Sequence, residues 1–270
     1  VFTQHKYFHS RTNIDSLNNN NLMARFLKDK QQAKGTAPGS LIFIGQQKLK
    51  HTKIIVRQYN NNYFKEGELK SFSNLTEYLS DDHITWFSLF GLHDIQLIEN
   101  LGTTFNINSL ILEDILNTDE RPKFIEDEYH IFIIAKNLEY DPVASKVQME
   151  QISIIAGKNY LISIQETETD HFQDICRRLS AKQAKIRNYT TDYLCYALMD
   201  TLVDSYIKKK KKLGSNIEAQ EKDLLTCNKQ IIENIYHYKT ELSYIRKNIR
   251  PAKEIISRFI NCDSELINKR

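Results

Sequence analysis

The chain has 270 residues, 41% of them hydrophobic and 26% charged, and a formal net charge of +3. That balance suits a folded protein of one or two domains with a sizeable core, and it excludes a disordered or fibrous chain. The small positive charge is spread along the sequence, so no nucleic-acid partner is expected. No apolar run approaches the roughly 18 residues that a membrane helix needs.

Residues 1–35 read as a mobile arm. It carries an Asn run at Asn18–Asn21 and one short helical stretch at Leu22–Leu27. Leu41–Gly45 and Lys53–Tyr59 read as strands, Asn60–Leu69 as a loop, and Phe72–Leu79 as a short helix. The β-branched and aromatic run His83–Phe90 predicts a buried strand that Gly91 ends. Asp94 is placed to cap a helix through Phe105, with Ile95, Ile98, Leu101 and Phe105 on one face.

The stretch Leu110–Lys123, LILEDILNTDERPK, sets two adjacent carboxylates inside an apolar helical turn. Asn108 or Ser109 suits the helix start, and Leu112, Ile115 and Leu116 recur at the spacing of a buried face. Asp114 lies at the margin of that face, about 100° around from Glu113. A carboxylate there needs a partner, whether a cation, a base or a metal.

Glu128–Tyr140 predicts a strand that Asp141-Pro142 breaks. Val147–Ala156 and Tyr160–Gln165 form a hairpin pattern around Gly157-Lys158-Asn159, where Gly and Asn accept positive φ. Asp170–Lys185 reads as a helix. Residues 36–188 are therefore expected to form an α+β, layered α/β/α domain on a mixed sheet.

From Tyr189 onward strand signals cease, and residues 189–270 are expected to form long antiparallel helices, a stalk. Leu194, Leu198, Leu202, Tyr206, Leu213, Ile217 and Leu224 make one stripe, with Cys227-Asn228 as the turn. Ile231, Ile235, Tyr238, Leu242, Ile245, Ile249, Ala252, Ile256 and Phe259 then step by four and three, a heptad seam that includes Pro251. The seam predicts that Asp263 and Leu266 follow on the same face, and that the helix continues in register to Arg270.

Asp200 and Asp204 lie one turn apart. Together with Glu113, Asp114 and Asp263 they supply hard oxygen donors of the kind Mg²⁺ prefers. Lys208–Lys212 reads as a solvated helix face. Four widely spaced cysteines form no C-x-x-C, so a reduced, cytosolic state is expected. No H-E-x-x-H, Walker-A loop or G-x-G-x-x-G occurs, and no enzyme signal is present.

LILEDILN with RPK resembles the CorA family of divalent-metal-ion transporters. Five further segments carry the same likeness in order: PGSLIFIG (Pro38–Gly45), ITWFSLFGLH (Ile84–His93), QMEQISIIAGKNYLISIQE (Gln148–Glu166), DYLCYALMDTLVDSY (Asp192–Tyr206) and IRPAKEII (Ile249–Ile256). The resemblance implies the cytoplasmic N-terminal domain of a magnesium and cobalt transporter of the inner membrane. The membrane part, with its Gly-Met-Asn signature, would follow these 270 residues. It also implies a homopentamer, with regulatory Mg²⁺ (or Co²⁺) bound between subunits by Asp114, Glu113 and Asp200, joined by Asp263. An ungapped comparison places the family's stalk acid at Cys262, one residue earlier. Two rival readings are a zinc transporter of the same superfamily and a soluble coiled-coil protein that binds a partner.

Overall fold

A computed structural model describes residues 35–69, 75–141, 146–169, 171–182, 184–221, 229–264 and 266–267. Val1–Pro38 and Gly39–Arg270 are separate compact units. The proposed arm, its Leu22–Leu27 helix, the Cys227-Asn228 turn and the final register to Arg270 lie outside the described residues, as does the first half of the Phe72–Leu79 helix.

Strand periodicity builds the sheet of the second unit. The strands are β1 (Lys53–Tyr59), β2 (Phe64–Leu69), β3 (Ile84–Phe90), β4 (Lys123–Glu126), β5 (Ile131–Asp141), β6 (Lys146–Ala156) and β7 (Tyr160–Gln165). They lie in the order β2-β1-β3-β7-β6-β5-β4. Only the central pair β3–β7 is parallel, with Ser88 beside Ser163; the other pairs are antiparallel. The sheet is therefore mixed, as the sequence predicts.

Successive residues point to opposite faces, and both faces are covered. On one side Phe132, Ile134, Ile155, Ile162 and Phe87 meet helices α1 (Ile95–Phe105) and α2 (Ser109–Leu116). On the other, Ile131, Ile133, Ile152, Ile154 and Trp86 meet α3 (Gln173–Ser180), α4 (Thr191–Glu221) and α5 (Lys229–Ile260). This is the layered α/β/α arrangement. Each fully buried Ile, Leu or Phe contributes about 1.5–3 kcal/mol, so the two layers hold the sheet from both sides.

Helix starts follow their caps. The Asp94 carboxylate accepts from the Leu97 N–H, and the Asn108 side chain accepts from the Leu110 N–H. Ile95 is 36% exposed, while Leu97 joins Ile98, Leu101 and Phe105 in the core. The start of α4 and the end of α5 line one cleft, Met199 and Val203 facing Ile255 and Phe259, so the two helices run antiparallel.

Four expectations need correction. Leu41–Gly45 is not a strand; only Ile44 makes an isolated parallel bridge, to Asn117. The loop expected at Asn60–Leu69 instead contains β2, an edge strand whose Lys, Glu and Gly residues suit an exposed rim. The helix expected over Asp170–Lys185 is confined to Gln173–Ser180, followed by a 3-10 turn at Lys185–Asn188. Most consequentially, the heptad seam does not run on through Asp263.

The last long helix ends at Ile260. Ile235 and Leu242 of the expected seam are 46% and 40% exposed, and the buried positions are Tyr238, Glu241, Ile245, Ala252 and Ile255. The physical reason is that α5 packs on β4, β5 and β6 as well as on α4, so two neighbours set its buried face. Past Ile260 the chain turns inward. The Cys262 thiol donates to a Glu126 carboxylate oxygen at 2.5 Å, and Arg258 donates to the Phe124 carbonyl at 2.7 Å. Asp263 is exposed in the irregular segment that follows.

Candidate metal centre

The acid pair sits on α2, which two segments clamp. Ile111, Leu112, Ile115 and Leu116 bury one face against the sheet and α1. At the C-terminal end the Ile44 N–H donates to the Leu116 carbonyl and the Thr118 N–H donates to the Ile44 carbonyl, both at 2.9 Å. Upstream, the Gly39 N–H donates to Glu113 Oε2 at 2.7 Å. Gly39 has φ +82°, and a Cβ there would lie 2.7 Å from Ser109 Oγ. Glycine is required for the backbone to reach the carboxylate.

Asp114 finds the cation that its position demands. Lys123 Nζ lies 2.8 Å from Asp114 Oδ1 and 3.1 Å from Glu120 Oε1. The Asn117 amide holds the other Glu120 oxygen at 3.1 Å. Burial lifts the Asp114 carboxyl above the ordinary aspartate value; Lys123 pulls it down, and Glu120 and Glu113 push it further up. Burial alone would lower Lys123, but its bonds to Asp114 and Glu120 outweigh that and hold it above the usual lysine value. The result is a half-buried patch in which two carboxylates, Asp114 and Glu120, share one ammonium, with Glu113 beside them on the Gly39 N–H. A carboxylate offers about four lone-pair positions, so each acid retains acceptor capacity beyond these bonds.

Asp200 and Asp204 are exposed on α4. Asp200 stands at the rim of an apolar cleft of about 290 Å³, beside Tyr196, Met199 and Phe259. Tyr196 and Ile260 at this cleft are 51% and 69% exposed. Among the described residues no group of three or more His, Cys, Asp or Glu side chains within the chain is arranged to hold a metal ion. The structure thus brings Glu113 and Asp114 together as neighbours on α2, and does not join them to Asp200 or Asp263 in one metal-binding cluster. These donors, all carboxylates, fit a hard divalent ion that keeps several waters.

Comparison with known proteins places this architecture. A family model described as "CorA-like Mg2+ transporter protein" matches residues 81–270. The chain belongs to that family. It is 31% identical over 237 residues to the cobalt/magnesium transport protein CorA of Thermotoga maritima, covering 87% of this chain and 67% of that one. The complete structure of the CorA magnesium transporter from Methanocaldococcus jannaschii superposes with a TM-score of 0.63 at 18% identity, over 80% of this chain and 65% of that one. The ZntB cytoplasmic domain from Vibrio parahaemolyticus gives a TM-score of 0.60 at 16% identity, over 79% and 82%. These last two likenesses are of fold alone. The chain therefore spans about two thirds of the length of its CorA-like relatives, and no helix among its described residues is long and apolar enough to cross a membrane.

Three residues that support the acid-bearing helix escaped the sequence reading. Gly39 lay inside the PGSLIFIG segment, but its bond to Glu113 spans 74 residues and has no local signal. Lys136 and Gln151 read only as strand residues, yet they are 5% and 1% exposed beneath α2. A lysine in the middle of the apolar run HIFIIAKNLEY was the available clue, because a buried ammonium needs fixed acceptors.

Proposed function

We propose that this chain is the cytoplasmic, metal-sensing part of a CorA-like Mg²⁺ and Co²⁺ transporter of the inner membrane, working as a homopentamer. The observation that carries the reading is the α2 patch, in which the adjacent acids Glu113 and Asp114 stand half-buried, Asp114 paired with the Lys123 ammonium, in a member of this family. Glu113 and Asp114 of one subunit, with Asp200 and Asp263 completing the set across the subunit boundary, hold a hydrated divalent ion. At high internal Mg²⁺ the ion bridges like-charged acids and favours the closed ring. At low Mg²⁺ the acids repel and the ring opens. The ion acts only through its higher affinity for the closed arrangement, and the coupling is reciprocal. Glu113, Asp114 and Asp200 are exposed enough to exchange ligands, and all offer oxygen, which suits Mg²⁺ better than it suits Zn²⁺.

The test is ion uptake by the intact gene product reconstituted into vesicles. The expected result is Mg²⁺ or Co²⁺ entry that falls as Mg²⁺ on the cytoplasmic side rises. Zn²⁺ entry without Mg²⁺ entry would assign the chain to zinc transport. Transport of none of these ions would leave the soluble partner-binding reading in its place.

A further inference from the structure

Lys136 and Gln151 form a buried bridge beneath the acid-bearing helix. They are a cross-strand pair on β5 and β6. Lys136 Nζ donates to the Thr118 carbonyl at 2.8 Å and to Gln151 Oε1 at 2.9 Å. Gln151 Nε2 donates to the carbonyls of Asp114 and Ile115 at 3.2 and 3.1 Å. The Gln151 N–H donates to Glu166 Oε1 at 2.6 Å. The last carbonyls of a helix have no partner within it, and they carry its negative pole. Here a side-chain amide satisfies two of them, one belonging to Asp114 itself, and an ammonium lies directly behind.

The same strand reaches the other side of the sheet. The Tyr206 hydroxyl on α4 donates to the Lys136 main-chain carbonyl. Tyr206 is 6% exposed and lies on the helix that carries Asp200, about 9 Å further along its axis. One residue, Lys136, therefore touches the α2 terminus with its side chain and α4 with its carbonyl oxygen.

We infer that Lys136 and Gln151 are positioning residues that fix the height and rotation of the Glu113–Asp114 pair on the sheet and, through Tyr206, tie it to the helix bearing Asp200. The inference rests on the metal-sensing reading above. Mg²⁺ tolerates little departure from its octahedral geometry, so the backbone depth of Asp114 sets how well the ion is held. A shift of Asp114 on metal binding must move the Gln151 amide, and with it the strand pair that α4 grips.

The experiment uses the intact protein and two readouts, thermal unfolding without divalent ions and the Mg²⁺ midpoint for protection from limited proteolysis. The variants are Gln151→Leu, Tyr206→Phe and their double, each also combined with Asp114→Ala. Lys136→Met is a fourth variant, and the conclusion does not depend on its folding, because the other two leave the ammonium in place. The expected result is that Gln151→Leu raises the Mg²⁺ midpoint about fivefold or more, a typical coupling between sites. Tyr206→Phe should raise it too, and the two effects should be non-additive, the mark of one connected unit. Neither should change a chain already carrying Asp114→Ala. Variants that lower the melting temperature while leaving the midpoint where it was in wild type would show a purely structural bridge and overturn the inference, with the metal-sensing reading intact. A wild-type protein whose protection is indifferent to Mg²⁺ or to Asp114→Ala would overturn both.

Discussion

Replacing Lys123 with Gln should tighten Mg²⁺ binding, because the ammonium sits on the same carboxylate that a metal would use and repels it. Lys123 Nζ sits 2.8 Å from Asp114 Oδ1. An Mg²⁺ ion bound at about 2.1 Å from the same carboxylate would lie roughly 4.5 Å from that ammonium. The lysine and aspartate side chains are 30% and 20% exposed, so a dielectric near that of water is the conservative choice. Coulomb repulsion between +2 and +1 at that distance is then about 2 kcal/mol. Removing it corresponds to about thirtyfold in affinity at low ionic strength, and less in high salt. The cost to the fold is small, since a partly exposed ion pair contributes about 0–1 kcal/mol. The assay is calorimetric titration of the intact protein with Mg²⁺ in low salt. Wild type and Lys123→Gln should differ by tenfold or more, the variant being tighter. An unchanged or weaker affinity in the variant would refute the idea that the ammonium and the metal compete for Asp114.

Two further predictions test the clamp and the buried charges. Gly39→Ala should destabilise the unit by about 1–2 kcal/mol, because φ +82° strains any Cβ and Ser109 stands in its way; thermal unfolding measures it. On the opposite face of the sheet, burial would raise the Glu150 carboxyl, but the bonds from His171, 2.6 Å away, and from Thr167 outweigh it and hold it below the ordinary value of 4.5. A depressed carboxyl stabilises the fold above its unfolded value and loses that contribution as pH falls through the folded one. Glu150→Gln should therefore cost about 1–3 kcal/mol near neutral pH. The gap to wild type should close as pH drops below 4.5, which melting curves across an acid series would show.

Much of the sheet could be read from the chain. Ile131–Leu138 is buried at every position, so no amphipathic pattern was needed to recognise an interior strand, and Gly157-Lys158-Asn159 marked the hairpin beside it. The edges were harder. β2 has little apolar content, and its pairing with β1, not its own propensity, makes it a strand. β4 has only four residues and follows a proline, too short for any period to show. Stepwise spacing in α5 was real but misjudged in direction, since a helix touching both a sheet and another helix has no single seam. A buried carboxylate, Glu241, lies inside its packed face and accepts the Val147 N–H at 2.7 Å. The chain's turn after Ile260 had no glycine or proline to announce it, and depends on distant Glu126 and Phe124.

For the candidate site the local part was legible and the long-range part was not. Glu113 and Asp114 stood out because charges interrupt an apolar turn, and the need of Asp114 for a partner followed from its place on the helix. That Lys123 meets this need depends on how the chain returns from α2 into β4, and Gly39, Lys136 and Gln151 come from segments far away in sequence. Those contacts arise from tertiary packing, which no window of the sequence contains.

The most direct measurement of the central claim is limited proteolysis of the intact protein across a Mg²⁺ series, for wild type and for Asp114→Ala. Mg²⁺ should protect wild type progressively and leave Asp114→Ala as susceptible as the metal-free protein. Equal protection of the two would contradict the assignment of Asp114, and with it the proposal that this chain senses metal through the α2 acids.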